Sequence, residues 1–259
     1  MKIDMVLTAC NENARYLDLY PYVYKIWKKR FNLDCYLVLI SDKISDKLID
    51  YKDYIILFKP IKDINSAFIS QTIRILYPSL FDNKNILITD MDIFPLSQSY
   101  FIDSVEKYSN DSFITYTDRY IRHKQFAICY NLANSKIWRN IFNINNINDI
   151  NNILRKWYNK DYTGVKDCPG WKTDQYKLFE FVQKWNNTNN KLIILTDKIL
   201  NFNRLHKKRV VVDYIKKNFD EVEKNLLTDF YTDVHLHNIN TYLYKKKNYF
   251  YKIVDIILK

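Results

Sequence analysis

Asn85-Ile86-Leu87-Ile88-Thr89-Asp90-Met91-Asp92 runs from a short apolar stretch straight into two carboxylates. The apolar run has the length and flanks of a buried strand. Two acids at the end of such a strand are costly unless something pairs with them. Either a hard divalent cation takes their oxygens, or Asp90 caps a turn while Asp92 is solvated. The chain stays apolar beyond the pair, in Ile93-Phe94-Pro95-Leu96, which favours the cation.

Upstream of this block the pattern repeats. Ile3 to Thr8, Cys35 to Ile40 and Tyr54 to Phe58 are hydrophobic strands. Between them, Asn13 to Arg30 and Ala67 to Tyr77 carry apolar residues at helical spacing, the first kinked or restarted at Pro21 and the second closed by Pro78. Four strand–helix alternations in 92 residues predict an α/β fold with a mostly parallel sheet covered on both faces. In such sheets ligands sit at the carboxyl ends of the strands, where Thr8-Ala9-Cys10-Asn11, Ser41-Asp42 and Asp90-Met91-Asp92 fall. Further on we expect strands at Phe113–Tyr116, Phe126–Tyr130 and Leu192–Leu195, and helices at Ser135–Phe142, Asp149–Trp157 and Asp174–Trp185. Asn143 to Asn152 is expected to be a flexible loop.

Composition narrows the function. The 259 residues carry 40 Lys and Arg against 29 Asp and Glu, a net charge of +11, and are 47% hydrophobic and 16% aromatic. That supports a large core and excludes global disorder. With two glycines, Gly164 and Gly170, neither a GxGxxG nor a P-loop phosphate cradle can be written. Cys10, Cys35, Cys129 and Cys168 lack zinc spacing and read as reduced thiols. No stretch approaches the roughly 18 to 20 apolar residues of a membrane helix, and the N-terminus lacks a signal-peptide pattern, so a cytoplasmic protein is expected. The positive surplus suits any phosphate-bearing partner; without a recognisable nucleic-acid module, no nucleic-acid partner is expected.

In chain order, Arg74 to Asp92, then Gly170-Trp171-Lys172-Thr173-Asp174-Gln175, then Val234-His235-Leu236-His237-Asn238, resemble glycosyltransferases of the GT-A fold, including glycogenin-like members. The likeness covers about residues 3 to 240. It implies a GT-A-like catalytic domain over 1–241, with a nucleotide-sugar half to about residue 96 and an acceptor half over 97–241. It also implies a Mn²⁺ or Mg²⁺ ion and a nucleotide-diphosphate sugar, a UDP-sugar above all, as donor to a glycan or other hydroxyl acceptor. By the same resemblance Asp92 and His235 ligate the metal, Asp90 touches the metal or the ribose, and His237, on the same strand face, is the alternative ligand. Thr8, Ala9, Cys10, Asn11, Asp42 and Met91 would line the base, ribose and diphosphate, through backbone groups as much as through side chains.

Arg74 is the cation expected to bind the diphosphate or organise that site for catalysis, and its bland alternative is a surface salt bridge. Asp174 is the residue expected at the acceptor, beside Gln175. In an inverting reaction it would take the proton of the attacking hydroxyl; in a retaining one it would position hydroxyls; equally it suits the first turn of a helix. Trp171 offers a flat face to a sugar ring, and Tyr16 could stack on a base or pack in the core. Rival readings are a haloacid-dehalogenase-type phosphatase, whose nucleophilic Asp also ends a strand, and a basic membrane- or nucleic-acid-binding module. The basic amphipathic segment 242–259 suits peripheral contact with an anionic membrane or docking on the core.

Overall fold

The computed structural model describes residues 1–206, 218–235 and 247–259. Its spine is a seven-stranded sheet of order β3-β2-β1-β4-β7-β6-β8. Strands β1 (Met5–Asn11), β2 (Cys35–Ile40), β3 (Ile55–Phe58) and β4 (Asn85–Ile88) are mutually parallel. β6 (Phe113–Thr115) and β8 (Leu192–Ile194) pair in parallel, and β7 (Asn131–Asn134) runs against both β4 and β6.

Period-two alternation divides each strand between two cores. Val6 and Cys10 of β1 pack with Val23, Ile26 and Trp27 of helix α2 (Tyr20–Phe31). Leu7 and Ala9 pack on the other face with Ile69 and Ile73 of α3 (Ser66–Leu76). Both faces are covered, so the strands read as unbroken apolar runs. Helix starts follow local chemistry. Asn13 caps the short α1 (Ala14–Leu17), and α2 begins afresh with Pro21 in its first turn, where a missing N–H costs nothing. Asn65 caps α3, which gives way to a 3₁₀ turn at Tyr77-Pro78.

Two sequence expectations need correction. The strand expected at Phe126–Tyr130 lies one step later, at Asn131–Asn134. Tyr130 takes a left-handed φ of 69°, and the Asn131 side chain holds the carbonyls of Ala127 and Ile128 at 2.7 and 3.0 Å, so the preceding residues form a loop. The Asn-rich segment is ordered. Asn143 closes α5 (Ser135–Phe142) in the left-handed region, and Asn146 with Asp149 forms a reciprocal capping box that opens α6 (Ile147–Trp157). Asn is frequent there because it suits both cap positions.

Beyond β4 the chain makes β5 (Ile93–Pro95), a π-type turn (Ser99–Asp103) and the short α4 (Ser104–Glu106). β5 belongs to a second, three-stranded sheet with β9 (Arg204–His206) and β10 (Asp233–His235). β10 runs antiparallel to β5 with His235 opposite Ile93 and Val234 opposite Phe94. A residue more than 140 positions downstream is thereby set beside the acidic pair.

The last helix, Lys247–Ile257, buries Phe250, Ile253, Val254, Ile256 and Ile257. Phe250 meets the rings of Tyr22 and Phe94 at 5.1 and 6.1 Å. The apolar stripe proposed for a membrane surface is therefore already covered by the core. Residues 236–246, with His237, lie outside the described residues, and among those described no helix is long and apolar enough to cross a membrane.

Candidate active site

Arg74 stands in the last turn of α3 and is only 9% exposed. A guanidinium so buried must be paired. Nη1 donates to Asp90 Oδ1, Nη2 lies 3.4 Å from Asp174 Oδ2, and Nε donates to the Gln71 carbonyl at 3.3 Å. One side chain thus ties together α3, the end of β4 and the first turn of α7 (Thr173–Asn189).

Asp174 is 4% exposed and accepts the Gln175 N–H at 2.8 Å. A carboxylate in a first turn is favoured by the helix dipole. Burial nevertheless outweighs that and the Arg74 charge, pushing its pKa up from 3.8 to about 7. The sign of the linkage follows. Between about pH 4 and 7 the folded state holds a proton that the unfolded state has released, so this group's contribution to stability falls as pH rises and levels off above about 7. Replacing Asp174 with Asn should remove that slope. The difference in melting temperature between variant and parent should move in the variant's favour from pH 4 to pH 7, and parallel profiles would refute the raised pKa.

Asp92, two residues past Asp90, lies with its Oδ2 3.3 Å from His235 Nε2. Behind the imidazole, Arg204 Nη1 is 3.5 Å from His235 Nδ1. Arg204 grips Asp233 with Nε at 2.6 Å and Nη2 at 2.7 Å, and the Tyr130 hydroxyl donates to Asp233 Oδ2 at 2.7 Å. Sequence reasoning missed these three. Asp233 carried a faint signal, two residues before His235 on one strand face; Arg204 and Tyr130 carried none, because only the chain's return path places them there.

The other expected residues fall as follows. β1 extends to Asn11, so Thr8, Ala9 and Cys10 lie inside the strand. Thr8 and Cys10 are buried on the α2 side, and burial pushes the Cys10 thiol up to about 12. Their side chains face the core, so any contact of theirs with a ligand would be through backbone groups; Asn11, half-buried and bonded to Ser66 at 3.0 Å, is the polar strand end. Asp42 is exposed in the bend after β2, and the Met91 side chain is buried in the core. Tyr16 is half-buried; its hydroxyl pKa is raised first by burial and then by the charge of Asp92. Trp171 stacks on Tyr162 with centroids 6.4 Å apart and planes 10° apart, and the Tyr162 hydroxyl donates to Gln71 Oε1 at 2.6 Å. The loop before α7 is thereby tied to α3 three residues before Arg74. The Gln175 carbonyl accepts from Phe126 N at 3.3 Å.

The donor set can be tested against a divalent cation. Octahedral bonds of about 2.1 Å put neighbouring ligand atoms about 3.0 Å apart, and the Asp92–His235 separation of 3.3 Å is close to that. Carboxylate and imidazole suit Mn²⁺, and carboxylate suits Mg²⁺. Asp90 has its Oδ1 turned to Arg74, and among the described residues no three His, Cys, Asp or Glu side chains are gathered as an ion would need. The pair fits; Asp90 would join through Oδ2 while Arg74 keeps Oδ1.

No family model matches the chain, and no curated protein does. Solved structures do. The glycosyltransferase GlyE of Streptococcus pneumoniae TIGR4 is similar over 98% of this chain at 15% identity and a TM-score of 0.50, the chain spanning 63% of that protein. The galactosyltransferase LgtC, in complex with donor and acceptor sugar analogs, matches over 96% of this chain and 95% of its own at 12% identity and a TM-score of 0.48. The bifunctional WbbM matches at 12% identity and a TM-score of 0.47, over 91% of this chain and 46% of its own. The fold is that of the GT-A-type glycosyltransferases.

Proposed function

We propose that this chain transfers a sugar, of the hexosyl or deoxyhexosyl type, from a nucleotide-diphosphate sugar to a hydroxyl of a glycan or similar acceptor. A UDP-sugar is the donor of choice. The observation that carries this reading is the convergence, at the carboxyl edge of the sheet, of the Asp90–Arg74–Asp174 chain with the Asp92–His235 pair.

Asp92, His235 and Asp90 would hold Mn²⁺ or Mg²⁺, with His237 as the alternative imidazole. Such an ion supplies charge neutralisation for a departing diphosphate. Arg74 keeps Asp90 and Asp174 at fixed distance and adds positive charge where negative charge develops. Asp174, titrating near neutrality, is suited to take the acceptor hydroxyl's proton in an inverting reaction or to orient hydroxyls in a retaining one. Trp171 presents its ring at the acceptor side.

The test is a thermal-shift screen of nucleotide sugars with and without MnCl₂. A ligand at 100 times its Kd stabilises the folded state by about 2.7 kcal/mol, so UDP-sugars should raise the melting temperature by several degrees with Mn²⁺ and far less in EDTA. No shift with any nucleotide sugar would remove the reading.

A further inference from the structure

Both glycines of the chain, Gly164 and Gly170, lie in the loop between α6 and α7, at φ of 79° and 83°. A Cβ on Gly170 would stand 3.1 Å from Asn159 Cβ and 3.5 Å from the Tyr162 ring, so space as well as φ requires glycine there. The loop so folded buries Tyr162, which is 4% exposed, against the rings of Phe68 at 5.5 Å and Trp171 at 6.4 Å. Burial raises the pKa of its hydroxyl, which stays protonated and donates to Gln71 Oε1 at 2.6 Å. A carboxamide has one acceptor oxygen and one NH₂ donor group. With Oε1 taken, Nε2 of the half-buried Gln71 meets no acceptor among the described residues. Gln71 lies one turn before Arg74 on the same face of α3, and its carbonyl accepts Arg74 Nε. The start of α3 is at the carboxyl edge of the sheet, where Ser66 meets Asn11. Gln71 therefore belongs to the turn nearer that edge than the guanidinium linking Asp90 to Asp174.

We propose that Gln71 donates from Nε2 to a hydroxyl of the transferred sugar, and that Tyr162 is the positioning residue that turns the amide to do so. The proposal rests on the nucleotide-sugar reading given above. A sugar joined to a diphosphate held at Asp90 and Asp92 is the unit that comes next to Arg74 and Asp174, one helical turn from Gln71. A neutral amide binds a hydroxyl there without adding charge beside Asp174. One neutral hydrogen bond is worth about 3- to 10-fold in affinity, and that is the loss expected when it is removed.

The test is titration calorimetry in MnCl₂, in which the nucleotide sugar that most stabilises the parent in the screen above is compared with its nucleoside diphosphate alone. Gln71→Met keeps the volume and the helix propensity, so the variant should melt like the parent and bind the diphosphate with parental affinity. The nucleotide sugar should bind it about 3- to 10-fold more weakly. Tyr162→Phe, which deletes only the orienting hydroxyl, should weaken the nucleotide sugar by a smaller factor and leave the diphosphate unchanged. Parent-like affinity for the nucleotide sugar in Gln71→Met, or an equal loss for the diphosphate, would overturn the sugar contact and leave the nucleotide-sugar reading standing. Parent-like affinity in Tyr162→Phe would overturn the positioning role. A parent protein that binds no nucleotide sugar would overturn the reading and the proposal together.

Discussion

Asp92→Ala should lower sugar transfer by about 10³-fold, at the upper end of what removing one transition-state charge contact costs, while the protein still folds. The Asp92 side chain is 17% exposed and sits in the turn between β4 and β5 rather than within either strand. Its loss therefore breaks no ladder hydrogen bond and leaves no apolar cavity, and the metal-free melting temperature should move by a few degrees at most. Nucleotide binding should lose its Mn²⁺ dependence in the same variant, and EDTA should reproduce the defect in the parent. Full turnover in chelator, or an alanine variant with more than a tenth of parental activity, would contradict the role given to this carboxylate.

The second large effect is on stability. Arg74→Met strips the cation from Asp174, which is 4% exposed, and from the more accessible Asp90. Removing one partner of a buried pair costs about 3–5 kcal/mol, or roughly 10 °C in melting temperature for a chain of this size. The loss should depend on pH. Arg74 lowers the Asp174 pKa, which burial already lifts to about 7, so without the guanidinium it rises further. Protonation relieves the uncompensated charge at low pH, and the variant should therefore be closer to the parent at pH 5 than at pH 8. Adding Asp174→Asn should recover much of the loss at pH 8. A deficit below about 1 kcal/mol, or one equal at both pH values, would refute the buried-pair account. Transfer should also fall sharply, because Asp90 and Asp174 lose their common anchor.

The carboxylates differ in how legible they were. Asp90 and Asp92 stand out because acids at the end of an apolar strand demand an explanation. Asp174 looked like an ordinary first-turn residue, which it also is, and its unusual titration comes from burial in the fold, where α3 brings Arg74 to it from 100 positions away. Thr8 and Cys10 show the opposite case, side chains that turn out to face the core and leave backbone groups for the site. They looked like a strand end because polar residues follow, yet β1 continues to Asn11 and the alternation turns both side chains inward.

The order of strands and helices up to Asp92, the doubly covered parallel sheet and the position of the acidic pair follow from the sequence alone, because hydrophobic period, prolines and asparagine caps act over a few residues. Tertiary structure alone decided which distant groups meet: Arg74 with Asp174, His235 with Asp92 through the β5–β10 pairing, and Arg204 with Asp233 and Tyr130. Those pairings depend on strand order and on the path of the returning chain. They are fixed by the burial of whole faces against one another, and no local pattern of residues records them.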